Sequence, residues 1–463
     1  MIRLFSVFIP TSILGLVTTE VALVFACYTA AIAWQLADAF GIYMQFENGT
    51  IRVAIVTATI VLGLYLNDCY VRVRVSSRLI FVQQLCLVIG VAFLLQATLS
   101  YGDIELRMPR QSMLMGSALC LALMSPWRTI YNKLSLRLLG AEKILFLGTH
   151  PLQRTIAQHL KEHPEFAMLP LGFLVETEQT GKELTEGPVL GLVEDALEIA
   201  KRIKPDRIVV GLDSQFAAQG IPHIINLQQE NLRVEEFNET FQVIFGRVPI
   251  AHMQPSQIVF RQSLVPSMLM LRVQTVYSWL ISFVAMVILC PVMLATALAV
   301  RLTSPGPVLF RQTRTGKNNI PFVLYKFRSM YIDAEARTGA VWAQENDPRV
   351  TPLGRALRKY RLDELPQLFN VLRGEMAMVG PRPERPEFIQ MLAKEIPFYM
   401  QRLAVKPGIT GWAQVNYRYG NTIEDTVIKL EYDLYYIKNF SPQLDFYVMF
   451  HTVKTMLLTR GAY

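Results

Sequence analysis

Apolar residues come first in long unbroken runs and later in short ones, and this change along the chain sets the expected architecture. Four runs, at about 11–34, 51–66, 79–99 and 111–126, are each near the ~17–25 residues that a helix needs to cross a bilayer. The first is long for a signal peptide's apolar region and three more follow it, so it reads as a membrane helix. From 143 the runs shorten. KILFLG (143–148), LPLGFLVE (169–176), GPVLG (187–191) and DRIVVGL (206–212) read as strands, with helices over 151–163 and 194–204 between them. That alternation predicts a small parallel α/β domain. A long uncharged run returns at 273–300, with Pro291 about two thirds along it.

Composition supports the membrane reading. Hydrophobic residues make up 52% of the 463 residues and mean hydropathy is +0.30. The net charge of +8 fits nucleic acid, anionic lipid or phosphorylated substrates and does not by itself separate them. Five cysteines (Cys27, Cys69, Cys86, Cys120, Cys290) lie in or beside apolar runs without a CxxC pair, which argues against a disulfide framework or zinc site.

Loop charge sets orientation. Residues 35–50 contain no Lys or Arg, the next loop has Arg72, Arg74 and Arg78, and Arg128, Lys133, Arg137 and Lys143 follow the fourth run. The positive-inside rule then puts both ends of the four-helix segment in the cytoplasm. Both flanks of 273–300 are basic as well: Arg261 and Arg272 before it, Arg301, Arg311, Arg314 and Lys317 after it. The segment is therefore expected to enter the membrane and return. Pro291 is the natural bend, because it removes one backbone donor and disfavours helical geometry at Cys290. A plain span is the alternative and would place the following domain on the opposite face.

The first turn of the α/β region, Gly148-Thr149-His150-Pro151, lacks the second and third glycines that let backbone approach a pyrophosphate. A structural or regulatory role is expected there. His159 and His163 have metal-ligand spacing with no third ligand nearby, so a solvated helix face is the preferred reading.

The chemistry concentrates in RLDELPQLFNVLRGEMAMVGPRPE (361–384). Leu365, Leu368, Phe369 and Leu372 have helical spacing, Pro366 suits a first turn and Gly374 a C-terminal cap, so Asp363 and Glu364 are expected at a helix N-terminus. A charge cap is the ordinary reading of such a pair. Here Arg355, Arg358, Lys359 and Arg361 precede it, Arg382 follows in a Pro-flanked turn, and YKFRSM supplies Lys326 and Arg328. Guanidinium groups around two acids fit a phosphate-bearing ligand with a divalent metal. Attraction to anionic lipid heads is a second use for arginines such as Arg301 or Arg402.

SPGPVLFRQTRTG, YKFRSM, LRKYRLDELPQLFNVLRGEMAMVGPRPE and KPGITGWAQVNYRYG, in this order after an apolar hairpin, closely resemble the bacterial sugar transferases that load polyprenyl phosphate, the monotopic phosphoglycosyl transferases. The resemblance covers about 272–463, and the N-terminal half is similar to that of the long, exopolysaccharide-initiating members. It implies transfer of a sugar phosphate from a UDP-sugar to undecaprenyl phosphate with release of UMP and with Mg²⁺ as cofactor. Asp363 matches the nucleophile of a ping-pong route and Glu364 the metal-binding acid. Lys326, Arg358 and Arg382 match basic residues at the phosphates, and Arg328, Arg311 and Arg314 join them as candidates. Two departures are minor: Cys290 stands where many members carry serine, and Asn319 where glycine is usual, though Asn tolerates left-handed backbone.

The expected organisation is a four-helix transmembrane bundle over 1–140, a Rossmann-like α/β domain over 141–262, and a re-entrant hairpin with a mainly helical catalytic domain over 263–463. The resemblance places the protein in the bacterial inner membrane with its catalytic domain cytoplasmic, acting on UDP-sugar and lipid rather than nucleic acid, with pairing through the N-terminal half left open. Trp412, Tyr417 and Tyr419 have interfacial composition, ordinary packing being equally open. A membrane-anchored nucleotide-sugar dehydratase would need an intact GxxGxxG loop and a YxxxK pair, and the chain has neither. An inactive polysaccharide-assembly scaffold is disfavoured because every matched catalytic position holds its expected residue.

Overall fold

The computed structural model describes residues 2–4, 7–9, 11–67, 69–70, 78–102, 106–138, 141–177, 184–212, 217–230, 232–253, 265–332, 334, 347–417 and 422–457. Arg72, Arg74, Arg261 and Tyr419 lie outside the described residues. Two compact units emerge, dividing after Phe237.

In the first unit, helices Thr11–Leu36, Gly49–Leu66, Arg78–Gly102 and Arg110–Leu138 stand where the four apolar runs predict them. All are long and apolar enough to cross a membrane. They share one core, with Leu16, Tyr28, Ile32, Ile60, Leu64, Leu85 and Met124 fully buried. Apolar side chains also cover the outside, including Trp34, Leu62, Leu87, Leu94 and Leu114. Helices that are apolar all round need a lipid surround rather than water.

The apolar runs conceal a buried ion pair inside this core. Glu20 is 0% exposed and Arg128 3%. Arg128 Nε donates to Glu20 Oε1 at 2.5 Å and Nη2 to Oε2 at 3.0 Å, while Nη1 reaches the Cys69 carbonyl at 2.9 Å. Tyr70 Oη adds a bond to Glu20 Oε2 at 2.7 Å, and the guanidinium lies 4.1 Å from the Phe81 ring centroid. Every strong donor and acceptor is matched, as low-dielectric surroundings require.

The α/β region of this unit is a five-stranded, all-parallel sheet in the spatial order Val189–Leu192, Met168–Val175, Glu142–Leu147, Arg207–Val210, Val234–Glu236. The fifth strand was not legible because VEE is short and polar. The order reverses beside Glu142–Leu147, the point at which such sheets take ligands. Here that point is filled from within. Gln153 Nε2 donates to the Leu147 and Val209 carbonyls at 3.2 and 2.8 Å. His150 Nδ1 accepts from the Leu152 amide at 3.2 Å, and the His150 carbonyl takes the Gln153 amide at 2.9 Å. With Pro151 lacking an N–H, the first-turn donors are used inside the chain. The His159 and His163 rings lie against each other, tilted, with centroids 4.3 Å apart.

The second unit carries the long helix Met268–Thr303, the antiparallel hairpin Leu309–Thr315 and Pro321–Phe327, the parallel pair Ala377–Val379 and Gly408–Thr410, and further short helices. Asn318 and Asn319 turn the hairpin at φ 55° and 63°, so asparagine does take the left-handed role expected of it. Residues 238–253, grouped by the sequence reading with the α/β domain, pack in this unit. Val248 and Ile250 join its core, Arg247 pairs with Glu431 at 3.0 Å, and Trp412 Nε1 donates to the Gly246 carbonyl at 2.8 Å. Trp412 is 4% exposed and stacks on Tyr435, so it is a core residue rather than an interfacial one.

The long helix continues through Pro291, so the bend expected at this proline does not interrupt the helix. Its buried positions fall into two groups, Gln274, Ser278 and Ser282 before the proline and Thr296 and Val300 after it. Ser282 Oγ donates to the Leu368 carbonyl at 2.8 Å, and Val300 packs with Phe327 and Leu357. Phe283, Val284, Val287 and Ile288 between them are exposed.

Replacing Glu20 by Gln or Arg128 by Met alone should destabilise the detergent-solubilised protein by about 3–5 kcal/mol, because each leaves a buried charge unpaired. The double variant Glu20→Gln/Arg128→Met should recover most of that loss. Denaturation titrated by tryptophan fluorescence reads both; equal losses in single and double variants would refute the pairing.

Candidate active site

Asp363 and Glu364 lie in a single 3-10 turn, Leu362–Glu364, one step before the helix Gln367–Leu372. That helix has only six residues, so its dipole contributes little at the carboxylates, and side-chain cations hold them instead. Its buried face also differs from the expected stripe. Phe369 is 44% exposed, beside Tyr325 and Arg373, whereas Asn370 is fully buried. Asn370 Nδ2 donates to the Val323 carbonyl and Oδ1 accepts from the Tyr325 amide, latching the turn to strand Pro321–Phe327. Gly374 closes the helix at φ +78°, in the capping role read from the sequence.

Both carboxylates are buried, Asp363 at 7% exposed and Glu364 at 8%. Lys326 Nζ reaches Glu364 Oε1 at 2.9 Å, Arg382 Nη2 reaches the same oxygen at 3.0 Å, and Arg361 Nη1 lies 3.5 Å from Oε2. Arg361 holds this place with a left-handed backbone, φ +53°, which costs a side-chain-bearing residue about 1–3 kcal/mol. Arg358 ends helix Pro352–Lys359 with Nε on Ser329 Oγ at 3.0 Å. Gly354 lets that helix cross Ser329, since a Cβ there would stand 2.0 Å from the Ser329 carbonyl oxygen.

The two acids are driven apart in proton affinity. Burial pushes the Glu364 carboxyl up, but Lys326, Arg382 and Arg361 outweigh it and hold it well below the usual range. Burial raises Asp363; Lys326, Arg358 and Arg382 oppose this, the Glu364 charge adds to it, and the net direction is upward. One buried site thus holds a firmly ionised acid beside a more basic one.

The remaining expected cations divide by position. Arg328 is 7% exposed and donates through Nη2 to the Ser304 carbonyl and hydroxyl at 2.8 and 2.7 Å, closing the end of the long helix; its Nε and Nη1 have no hydrogen-bond partner. Arg311 points outward over the Tyr325 ring. Arg314 donates to Gln312 Oε1 and to the Pro383 carbonyl. Arg402, a candidate for lipid heads, is 6% exposed and pairs with Asp433 at 2.9 Å. Sequence reasoning missed Ser329, Asn370 and Asp433, whose roles come from contacts between segments far apart in the chain.

The donor set fits Mg²⁺ in one respect. Among the described residues no three His, Cys, Asp or Glu side chains form a metal cluster. One or two carboxylates completed by substrate phosphates is nevertheless the usual way in which Mg²⁺ is held.

Asp363→Asn should leave thermal stability unchanged or raise it at neutral pH, since folding opposes that charge. Glu364→Gln should cost about 3–5 kcal/mol by leaving Lys326 and Arg382 facing a neutral group. The Glu364 contribution is present above its unfolded value of 4.5 and is lost only as pH falls through its depressed folded value. Melting curves at several pH values test both signs.

Residues 270–459 match the model of the bacterial sugar transferase family. Over 303 residues the chain is 40% identical to a UDP-N-acetylgalactosamine-undecaprenyl-phosphate N-acetylgalactosaminephosphotransferase of Aeromonas hydrophila, covering 65% of this chain and 68% of that one. It is 32% identical over 350 residues to a UDP-glucose:undecaprenyl-phosphate glucose-1-phosphate transferase of Xanthomonas campestris pv. campestris, covering 73% of this chain and 71% of that protein. A protein of the same name from Escherichia coli (strain K12) is 44% identical over 180 residues, 38% of this chain and 39% of its own. The motifs around the paired carboxylates and the length of these matches agree: the chain belongs to the bacterial sugar transferase family.

Proposed function

We propose that this protein transfers a sugar-1-phosphate from a UDP-sugar to undecaprenyl phosphate, forming an undecaprenyl-diphosphate sugar and UMP. Its relatives' activities support the reaction class, and one observation carries the site: two adjacent buried carboxylates with opposite shifts, ringed by Lys326, Arg358, Arg361 and Arg382.

Asp363 is the nucleophile. Its carboxylate oxygen attacks the sugar-bearing phosphorus, the P–O bond to the UMP phosphate breaks, and UMP leaves. A phosphate oxygen of the lipid then attacks the acyl phosphate, and the Asp363 carboxylate is regenerated. The upward shift of Asp363 favours its basicity as a nucleophile. Lys326 and Arg382 turn from Glu364 toward the donor's diphosphate, whose charge they offset. Glu364, released from them, would hold Mg²⁺, which would supply charge neutralisation at the diphosphate and at the departing UMP.

The long helix is re-entrant. Its two buried groups, on either side of Pro291, both pack on the catalytic unit, and the exposed apolar stretch between them is the part that enters lipid. This keeps the carboxylates at headgroup height, where the lipid phosphate lies. The four N-terminal helices form the transmembrane bundle, and the basic charge flanking the apolar helices supports a catalytic unit on the cytoplasmic face of the bacterial inner membrane.

Wild-type protein should move radiolabel from a UDP-sugar into organic-extractable lipid, and Asp363→Asn should lower that rate by at least about 10³-fold. Intact mass after donor alone should show a sugar-phosphate adduct on the wild type; equal label in both proteins would refute the nucleophile. The wild-type rate should fall on acidification at a pH above the ordinary Asp value of 3.8, because the raised Asp363 must lose its proton to attack. Single cysteines at Val273 and Thr303 should label from the same side of sealed vesicles, whereas a spanning helix would label them from opposite sides.

A further inference from the structure

The Gly380-Pro381-Arg382-Pro383 turn presents Arg382 to Glu364 without secondary structure of its own. Two of its residues are prolines with no N–H, so it cannot hold itself by an internal ladder. Its carbonyls are instead taken one by one from outside. The Gly408 amide donates to the Pro381 carbonyl at 3.0 Å, Arg402 Nη2 to Arg382 at 3.0 Å, Arg314 Nη1 to Pro383 at 3.0 Å and the Thr315 amide to Glu384 at 2.8 Å. Four consecutive carbonyls are thereby fixed, the central two by guanidinium groups.

We propose that Arg402 and Arg314 are positioning residues for phosphoryl transfer, a carbonyl clamp that acts through the main chain of Arg382 to aim its guanidinium. This rests on the reading of Arg382 as a contact of the donor's diphosphate.

Arg402 is built for the task. Its Nε and Nη2 engage Asp433 Oδ2 at 3.1 and 2.9 Å, its Nη1 donates to Tyr399 Oη at 2.9 Å, and Nη2 has a second hydrogen left for Arg382. Asp433 is 2% exposed and Tyr399 3%, so the guanidinium sits in a rigid, dry socket. A lysine has one nitrogen and cannot meet these three acceptors, spread around the guanidinium plane, at once. Arg314 plays a smaller part from the hairpin, where Gln312 at 2.9 Å steadies it. A displacement of about 1 Å in a phosphate-binding cation is enough to cost about a hundredfold in rate.

Binding of UDP to the purified full-length protein, measured by calorimetry, tests the clamp without requiring turnover. Arg402→Lys, confirmed as folded by its melting curve, should weaken UDP about tenfold. In an Arg382→Ala background the same substitution should have no further effect, because the clamp acts only through Arg382. Where Arg402→Lys fails to fold, Arg314→Lys on the more exposed hairpin side carries the same test, with a smaller expected loss of about threefold. Unchanged UDP affinity in the folded clamp variant, or an equal further loss in the Arg382→Ala background, overturns the clamp while the proposed reaction stands. Failure of the wild type to bind UDP at all removes the proposed donor and the clamp together.

Discussion

Two adjacent carboxylates buried in one turn would repel each other and pay heavily for desolvation, and the catalytic unit is arranged around the answer to that problem. Glu364 is held ionised by Lys326 from the hairpin strand, Arg361 from its own turn and Arg382 from a distant one. These three cations draw together segments that share no secondary structure. In doing so they leave Asp363 in a site where burial dominates, so its affinity for a proton rises while its neighbour's falls. Two chemically similar groups thus differ in proton affinity through the asymmetry of their surroundings.

Much of the fold was legible because burial leaves a strong pattern in sequence. The four N-terminal apolar runs and four of the five strands stand where periodicity puts them, and the left-handed Asn319 and the cap at Gly374 follow from local backbone preference. The strand Val234–Glu236 was not, since three polar-leaning residues carry no period. The carboxylate pair and most of its cations could be singled out by density of charge alone. What charge density does not encode is direction. Arg314, Arg402, Arg328 and Arg311 look equivalent in sequence, yet one holds a carbonyl, one sits in a dry socket, one closes a helix end and one lies over a ring. Their roles depend on residues 14 to 69 positions away, which no local motif records.

The long helix and the turn that carries Arg382 are joined more closely than their sequence separation implies. Gln274 near the helix start donates to the Val379 carbonyl at 3.1 Å and to Asp445 at 2.7 Å, and Tyr436 bonds the same carboxylate at 2.7 Å. Val379 immediately precedes the turn that carries Arg382. Amide, phenol and carboxylate all lie in the interior, so the helix cannot slide along its axis without breaking several bonds at once. The position of the helix is therefore coupled to the turn that carries Arg382 by a short path of hydrogen bonds.

The Glu20–Arg128 pair has a consequence for biosynthesis. The partners lie 108 residues apart, on the first and fourth helices. An unpaired acid near the middle of an emerging helix costs about 2.5–3.5 kcal/mol in the bilayer. At about 5–20 residues per second, its counter-charge reaches the ribosomal exit many seconds later. During that interval the first helix carries an acid without its counter-charge, and packing against the fourth helix removes that cost.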